Sequence, residues 1–519
     1  MARVTDLEER LLGRRPTDTR RAWVIFSVIA AIGGSLRMWR LGVPHSLVFD
    51  ETYYVKDALA LWRSGVELTV KPAIEKKVNE LFTTGHTDIF TDQGSFVVHP
   101  PFGKWVIALG EQTFGIDQSF GWRFSVAVMG TLSILLMGFV ARRLFGSTLL
   151  GAVAAVLLAF EGHHFVQSRT SLLDMGVMFW TFAAFCALVV DRDRTRARLA
   201  RRLAAQDAQN AGRLGVSMGW RPWRLVAAVA LALAIGTKWS GGFYFAAFGV
   251  LTILWDLGAR RAIGERRPVL TTLVRDAIPT AIWMSVVVVG VYLATWTGWF
   301  RSSNGYDRNW ADSHAAAPGW GWVPDALRSL WHHHVEMYNS ARGITSKHDY
   351  MSNPWSWLVQ GRPTSFFWEA PKRGEQGCTV DSCARAITSL GSPTLWWFAT
   401  GALVVLLVAW ALRRDWRAGA ILLGVAAGYL PWFAYQDRTI FTFYAIVFLP
   451  YLVLAATYVL GMIIGRPSAS AHRRRVGLTV VGAFVALHVV VFFFFLPVWS
   501  AQVIPYVEWT YRMWFNSWI

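Results

Sequence analysis

The chain has 519 residues, a formal net charge of +18, 54% hydrophobic residues and only 16% charged ones. Soluble domains carry roughly 25% charged residues, so a string of soluble domains is excluded, and 44 Gly and 19 Pro are too ordinary for a fibrous or disordered chain. The apolar residues fall in runs of about 20, long enough to cross a hydrocarbon layer of roughly 30 Å as helices, and the composition describes an all-α polytopic membrane protein.

Eleven spans are expected, at about 22–41, 122–141, 147–160, 171–190, 224–236, 241–257, 277–296, 394–412, 418–435, 440–464 and 476–498. The first is too long for a signal-peptide core and lacks a small-residue cleavage site, so it reads as a retained signal anchor. Placing the N-terminus in the cytoplasm puts 29 Lys/Arg into about 93 inner residues and 19 into about 216 outer ones. That bias orients the chain N-inside and C-outside, and it accounts for the net charge without a nucleic-acid partner. The organisation is a cytoplasmic segment 1–21, a membrane domain 22–498 and an outer tail 499–519.

Two outer segments are long, 42–121 and 297–393. In the first, Tyr53, Tyr54, Ala58, Leu61 and Trp62 fall at helical spacing, and an apolar stretch near 102–115 is too short to span. Both read as interfacial or re-entrant helices. The second is rich in Trp and His, shows little strand alternation and is expected to lie on the membrane. The tail, with Trp499, Tyr506, Trp509, Tyr511, Trp514 and Trp518, reads as a third interfacial helix. Cys378 and Cys383 share one outer loop, where a disulfide is plausible.

Charges at the outer ends of spans are costly, about 2.5–3.5 kcal/mol each at mid-bilayer. They are Arg37, Arg40, Arg123, Arg169, Asp174, Lys238, Asp437 and Arg438. Snorkelling explains one such cation; several converging on one leaflet suit a shared anionic partner such as a phosphate. The strongest local feature is His45-Ser-Leu-Val-Phe-Asp-Glu-Thr-Tyr-Tyr54, with adjacent carboxylates just beyond the first span. Asp50 there is either a helix N-cap or a general base or metal ligand held beside the membrane. Glu161-Gly-His163-His164 and His332-His333-His334 with Glu336 look like ligand clusters, but neither has a recognised zinc spacing. No phosphate-binding Gly-rich loop or dinucleotide fingerprint is present.

Taken in order, these residues resemble the protein O-mannosyltransferase family. The resemblance rests on Asp50-Glu51 after the first span, His99-Pro100-Pro101-Phe-Gly-Lys104, Arg123, Gln167-Ser168-Arg169 with Leu173-Asp174, Lys238-Trp239-Ser240-Gly241, and Arg438-Thr439 with Phe441 and Tyr444. It runs from about residue 20 to 500. The Arg-rich inner loops and the lack of appended domains are similar to an actinobacterial member; eukaryotic relatives carry β-trefoil MIR domains where 297–393 stands. The resemblance implies a GT-C glycosyltransferase fold, a polyprenyl-phosphate-mannose donor, and inverting transfer of mannose to Ser/Thr hydroxyls of proteins leaving the secretion channel. It also implies a bacterial plasma-membrane location, an extracytoplasmic site, and no metal or other cofactor.

Phosphate is a good leaving group, so such a reaction needs a base at the acceptor hydroxyl and positive charge at the phosphate. On this reading Asp50 is the base, and Glu51 orients the acceptor or a neighbouring cation. Arg169, Lys238 and Arg438, with Gln167, hold the phosphate. Arg37, His99, Arg123, Asp174 and Tyr444 support them. A GT-C enzyme that glycosylates a lipid or polysaccharide would share these donor-side groups. A transporter or flippase would call for inverted repeats and midplane polar groups, and neither is evident.

Overall fold

In a computed structural model, residues 8, 9, 11–13, 16–205 and 217–519 are described. Parts of the expected cytoplasmic segment 1–21 and of the basic stretch 191–224 lie outside them. The chain begins with α1 (Thr19–Met38) and passes into the first outer segment, with α2 (Glu51–Ser64), a small antiparallel pair β1 (Leu68–Val70) and β2 (Phe90–Gly94), and α3 (Phe102–Phe114). It continues through α4 (Ser119–Phe145), α5 (Thr148–Ala159), the short α6 (Gly162–Gln167), α7 (Leu173–Ala205), α8 (Pro222–Thr237), α9 (Gly241–Ala262) and α10 (Pro268–Thr295), which contains a π-helical turn at Thr272–Ala277. The second outer segment holds α11 (Asp325–Gly343), β3 (Thr364–Glu369) and β4 (Cys383–Ser389). Four helices follow, α12 (Pro393–Arg413), α13 (Trp416–Tyr429), α14 (Leu449–Ile464) and α15 (Ala471–Trp499), and then strand β5 (Val503–Pro505).

Among the described residues, eight helices are long and apolar enough to cross a membrane, and α5, α8 and α14 are shorter apolar ones. Together they fall on the expected segments, and the protein is a multi-pass membrane protein. Small residues let the helices approach closely, as is usual without a hydrophobic drive between them. Gly33 and Gly34 of α1 meet Ile134 and Thr131 of α4, where an added Cβ would sit 2.6 and 2.7 Å from the neighbouring side chain. Away from the outer segments, Arg221 and Arg224 share Asp191 and Asp256 in a buried four-member ion cluster. Some of the Arg-rich loop charge therefore ties α7, α8 and α9 together.

Three expectations need correction. The span expected over 440–464 starts as a helix only at Leu449, after a 3-10 stretch Thr442–Val447. Pro450 sits in the first turn of α14, where its missing N–H costs no helical hydrogen bond. The segment 297–393 contains a β-hairpin, β3–β4, whose turn is closed by the Cys378–Cys383 disulfide. The tail is not an interfacial helix: β5 pairs with β4, and only a five-residue α-helix, Tyr506–Thr510, and a 3-10 turn, Asn516–Trp518, follow. Part of its apolar side chains point inward, while Tyr506, Val507, Tyr511, Trp514 and Phe515 stay exposed. Ile504, Trp509, Met513 and Trp518 are buried in the main core, and Arg362 donates to the Ser517 and Ile519 carbonyls at 2.8 and 2.5 Å.

Candidate active site

The two long segments 42–121 and 297–393 and the helix ends beside them enclose a cleft of about 690 Å³. Five of the expected residues line it: Asp50, His99, Lys238, Arg438 and Tyr444. They come from four distant stretches. Asp50 precedes α2, His99 sits in the turn before α3, Lys238 caps the end of α8, and Arg438 precedes the 3-10 stretch before α14, within which Tyr444 lies.

Asp50 occupies the N-cap position of α2, yet its side chain accepts no N–H from the first turn. The capping alternative therefore fails, and the carboxylate is left for the cleft. Burial pushes its pKa up to about 6, with Asp174 adding to the rise and Lys238 and a hydrogen bond from Tyr54 opposing it. Burial and the cations Lys238, Lys104 and Arg438 hold His99 well below the usual imidazole range, so it is neutral. Lys238 donates to both oxygens of Asp174 at 3.1 and 3.0 Å and lies over the Tyr444 ring, 4.8 Å from its centroid. Tyr444 is backed by Trp432, stacked at 4.6 Å. Asp174 is thus a counter-ion behind Lys238, and Tyr444 a platform beneath it. The Arg438 Nε is buried without a hydrogen-bond partner.

Other expected residues are drawn elsewhere. Glu51 follows Asp50 in sequence but is rotated by about 100° around the helix, out of the cleft and fully buried. Arg123 Nε and Nη2 donate to its two oxygens, each at 2.8 Å. The Val48 and Ser171 amides add bonds of 3.0 and 2.9 Å. Arg123 also donates to the Leu41, Pro44 and Ser46 carbonyls. The pair therefore fixes the loop that carries Asp50: of the two expected roles, Glu51 holds a neighbouring cation, and it does not line the cleft.

Arg169 does not reach the cleft either. Its guanidinium donates to the carbonyls of Leu36, Arg37, Trp39 and Arg40 at 2.5–3.2 Å. It satisfies the acceptors left open at the C-terminus of α1. Arg37 is fully buried and bonds the Gly33, Ala159 and Leu158 carbonyls and His164 Nδ1. Gln167 donates to the Phe443 carbonyl at 3.0 Å, bracing the segment between Arg438 and Tyr444. Arg169→Ala is accordingly expected to cost stability on the order of 1.5–3 kcal/mol with donor affinity unchanged; a thermal melt beside a donor-binding titration checks both.

Sequence reasoning missed several lining residues. Tyr54 and Asp57 share the cleft with Asp50, and their spacing of four and seven residues from Asp50 was the signal that could have found them. Lys104 lines the same wall, paired with Glu67 and 3.5 Å from Asp57 Oδ2. Ser346, Lys347 and His348 enter from the segment after α11, and nothing in their local sequence marks them.

Residues 27–293 match the family model of dolichyl-phosphate-mannose-protein mannosyltransferases. Residues 326–518 match the C-terminal four-transmembrane region of protein O-mannosyltransferase. The polyprenol-phosphate-mannose–protein mannosyltransferases of Mycobacterium tuberculosis and Mycolicibacterium smegmatis are each 36% identical, over 97% of this chain and 93% and 94% of theirs. That of Corynebacterium glutamicum is 32% identical over 97% of this chain and 94% of its own. The S. cerevisiae protein O-mannosyltransferase Pmt1-Pmt2 complex, solved with the sugar donor, superposes with a TM-score of 0.70 at 16% identity, covering all of this chain and 94% of that one. This likeness bears on the fold, which is the GT-C architecture. Two family models in chain order and near-full-length relatives above 30% identity make the chain a member of the protein O-mannosyltransferase family.

Proposed function

We propose that this enzyme transfers mannose from polyprenyl-phosphate-mannose to Ser or Thr hydroxyls of secreted proteins, at the outer face of the bacterial plasma membrane and with inversion. The relatives' names give the donor class and the protein acceptor. The observation that carries the mechanism is one cleft holding an uncapped carboxylate, Asp50, together with Lys238 and Arg438.

The acceptor oxygen attacks the anomeric carbon from the face opposite the phosphate, so configuration inverts. The C–O bond to phosphate breaks with its electron pair, leaving polyprenyl phosphate, and the acceptor proton passes to Asp50 and then to water. With a pKa raised to about 6, Asp50 is largely ionised at pH 7 and more basic than an ordinary aspartate, which suits a general base. Lys238 and Arg438 take up the charge released on the phosphate. Two cations there leave no electrostatic need for a metal at the reacting centre.

The bias of basic residues supports a cytoplasmic N-terminus. The loops bearing the cleft alternate with the Arg-rich ones, so the site is extracytoplasmic. There it would meet chains emerging from the secretion translocon.

Arg438→Gln is expected to weaken donor binding about 10–100-fold, the worth of one charge-assisted hydrogen bond, measured by titration in nanodiscs. The decisive assay incubates the purified chain with polyprenyl-phosphate-mannose and a Thr-rich secreted peptide, and mass spectrometry looks for one added hexose. Transfer only to lipid or glycan acceptors, with the peptide untouched, would overturn the protein-directed reading.

A further inference from the structure

On the outer side, a loop and a helix converge at a second polar cluster that the transfer mechanism does not use. One donor atom each from Asp307, His332 and Glu336 lies within 4.8 Å of the others. His332 and Glu336 are one turn apart on α11. Asp307 comes from the loop between α10 and α11, in a left-handed conformation (φ 51°) that an aspartate tolerates better than most residues. His332 Nε2 is 3.4 Å from Asp307 Oδ2 and 3.6 Å from Glu336 Oε1.

We propose that Asp307, His332 and Glu336 form a binding site for a divalent transition ion of the zinc type. Zn–N and Zn–O bonds of about 2.0–2.2 Å place neighbouring donors of a tetrahedral site roughly 3.3–3.6 Å apart. Both separations from His332 fall in that range, and the Asp307 and Glu336 donors lie within 4.8 Å of each other. One imidazole and two carboxylates are a ligand set that such ions accept.

Two further observations favour a ligand over a plain ion pair. Glu336 Oε2 is buried with no hydrogen-bond partner. The His332 ring is held flat against Trp310, at 4.1 Å and 8°, and Trp310 is stacked on its other face by His314 at 4.2 Å and 10°. That sandwich fixes the imidazole plane, as orienting contacts do around metal ligands. The three side chains are 28–36% exposed, so an ion has an entry path and water can fill a fourth position.

The placement gives the ion a structural task. Tyr306, beside Asp307, packs on Phe96 at 5.2 Å, and Phe96 lines the catalytic cleft. The end of α11 leads into the Ser346–Lys347–His348 wall of the same cleft. The ion would clip the loop to α11 and hold that side of the cleft, apart from the phosphate and outside the transfer step.

The test uses the full chain in nanodiscs, stripped with a chelator that is then removed. Zn²⁺ retained after desalting is counted by mass spectrometry, and Co²⁺ is added in parallel to read coordination from its visible spectrum. The expected result is one Zn²⁺ per chain, the intense bands of four-coordinate Co²⁺, and a loss of affinity of about 100-fold or more in His332→Ala and Glu336→Gln. His314→Ala, which alters the stack but no ligand, should still bind one ion. Should a ligand variant fail to fold, the wild-type stoichiometry and the Co²⁺ spectrum decide. Less than one tightly held ion in the wild type, or equal binding by folded ligand variants, would overturn the proposal.

Discussion

Asp50→Asn should lower mannose transfer at least about 10²-fold, the lower end for a positioned general base, while the chain stays folded and membrane-inserted. Asn keeps the shape and the cleft contacts but accepts no proton. The stability consequence follows from the same pKa. A carboxyl raised from 3.8 to about 6 on folding binds more protons folded than unfolded between those values, so stability falls as pH rises through that window. The neutral Asn escapes this cost. The variant should therefore melt no lower than wild type at pH 7.

Wild-type kcat/KM should fall toward acid pH with an apparent pKa near 6. Asp57 lines the same cleft, and burial raises its pKa to about 6 as well, with Glu67 adding to the rise and Lys104 opposing it. Asp57→Asn separates the two: the acid limb should persist in that variant if it belongs to Asp50. Unchanged transfer by Asp50→Asn would remove the base from the mechanism and leave family membership intact.

Glu51→Ala should do the opposite, costing about 3–5 kcal/mol of stability by leaving a buried guanidinium without its counter-ion. Arg123 is 1% exposed and Glu51 fully buried, so water cannot replace the lost contacts. Two backbone amides, of Val48 and Ser171, lose their acceptor as well. The expected observations are poor recovery and a much lower melting temperature. A Glu51→Met/Arg123→Met double variant should regain part of the loss, because removing both charges leaves neither stranded. A Glu51→Ala protein that melts like wild type yet transfers no mannose would instead return Glu51 to the chemistry.

Adjacent carboxylates with opposite fates show where sequence reading stops. Residues 50 and 51 are equally conspicuous in the sequence, and helix geometry turns them about 100° apart. Only the packed structure, with α2 lying against α3 and Arg123 reaching in from α4, decides which one meets Arg123. Arg169 illustrates the same limit. An arginine at the outer end of a span suggests an anionic ligand, but the open carbonyls at the end of α1 are equally good acceptors, and backbone carbonyls carry no residue-specific mark. The β3–β4–β5 sheet was hidden because its third strand comes from more than 100 residues beyond its second. The tail's Trp residues suggested a membrane surface, whereas Trp499, Trp509 and Trp518 are core and Trp514 is exposed.

What the sequence determined by itself was set by local, summed quantities. Run length against bilayer thickness marked the apolar helices, and motifs in order pointed to the family; the orientation read from charge density in alternate loops is an expectation. What only the tertiary structure decided was which polar groups share a volume. Lys238, Arg438, His99 and Asp50 meet in one cleft, whereas Arg169, Arg37, Arg123 and Glu51 are consumed holding its walls. The reason is physical. A costly charge near the membrane must find a partner, but sequence cannot say whether that partner is a substrate or the protein's own backbone; only the packed chain shows which charges are left facing the cleft.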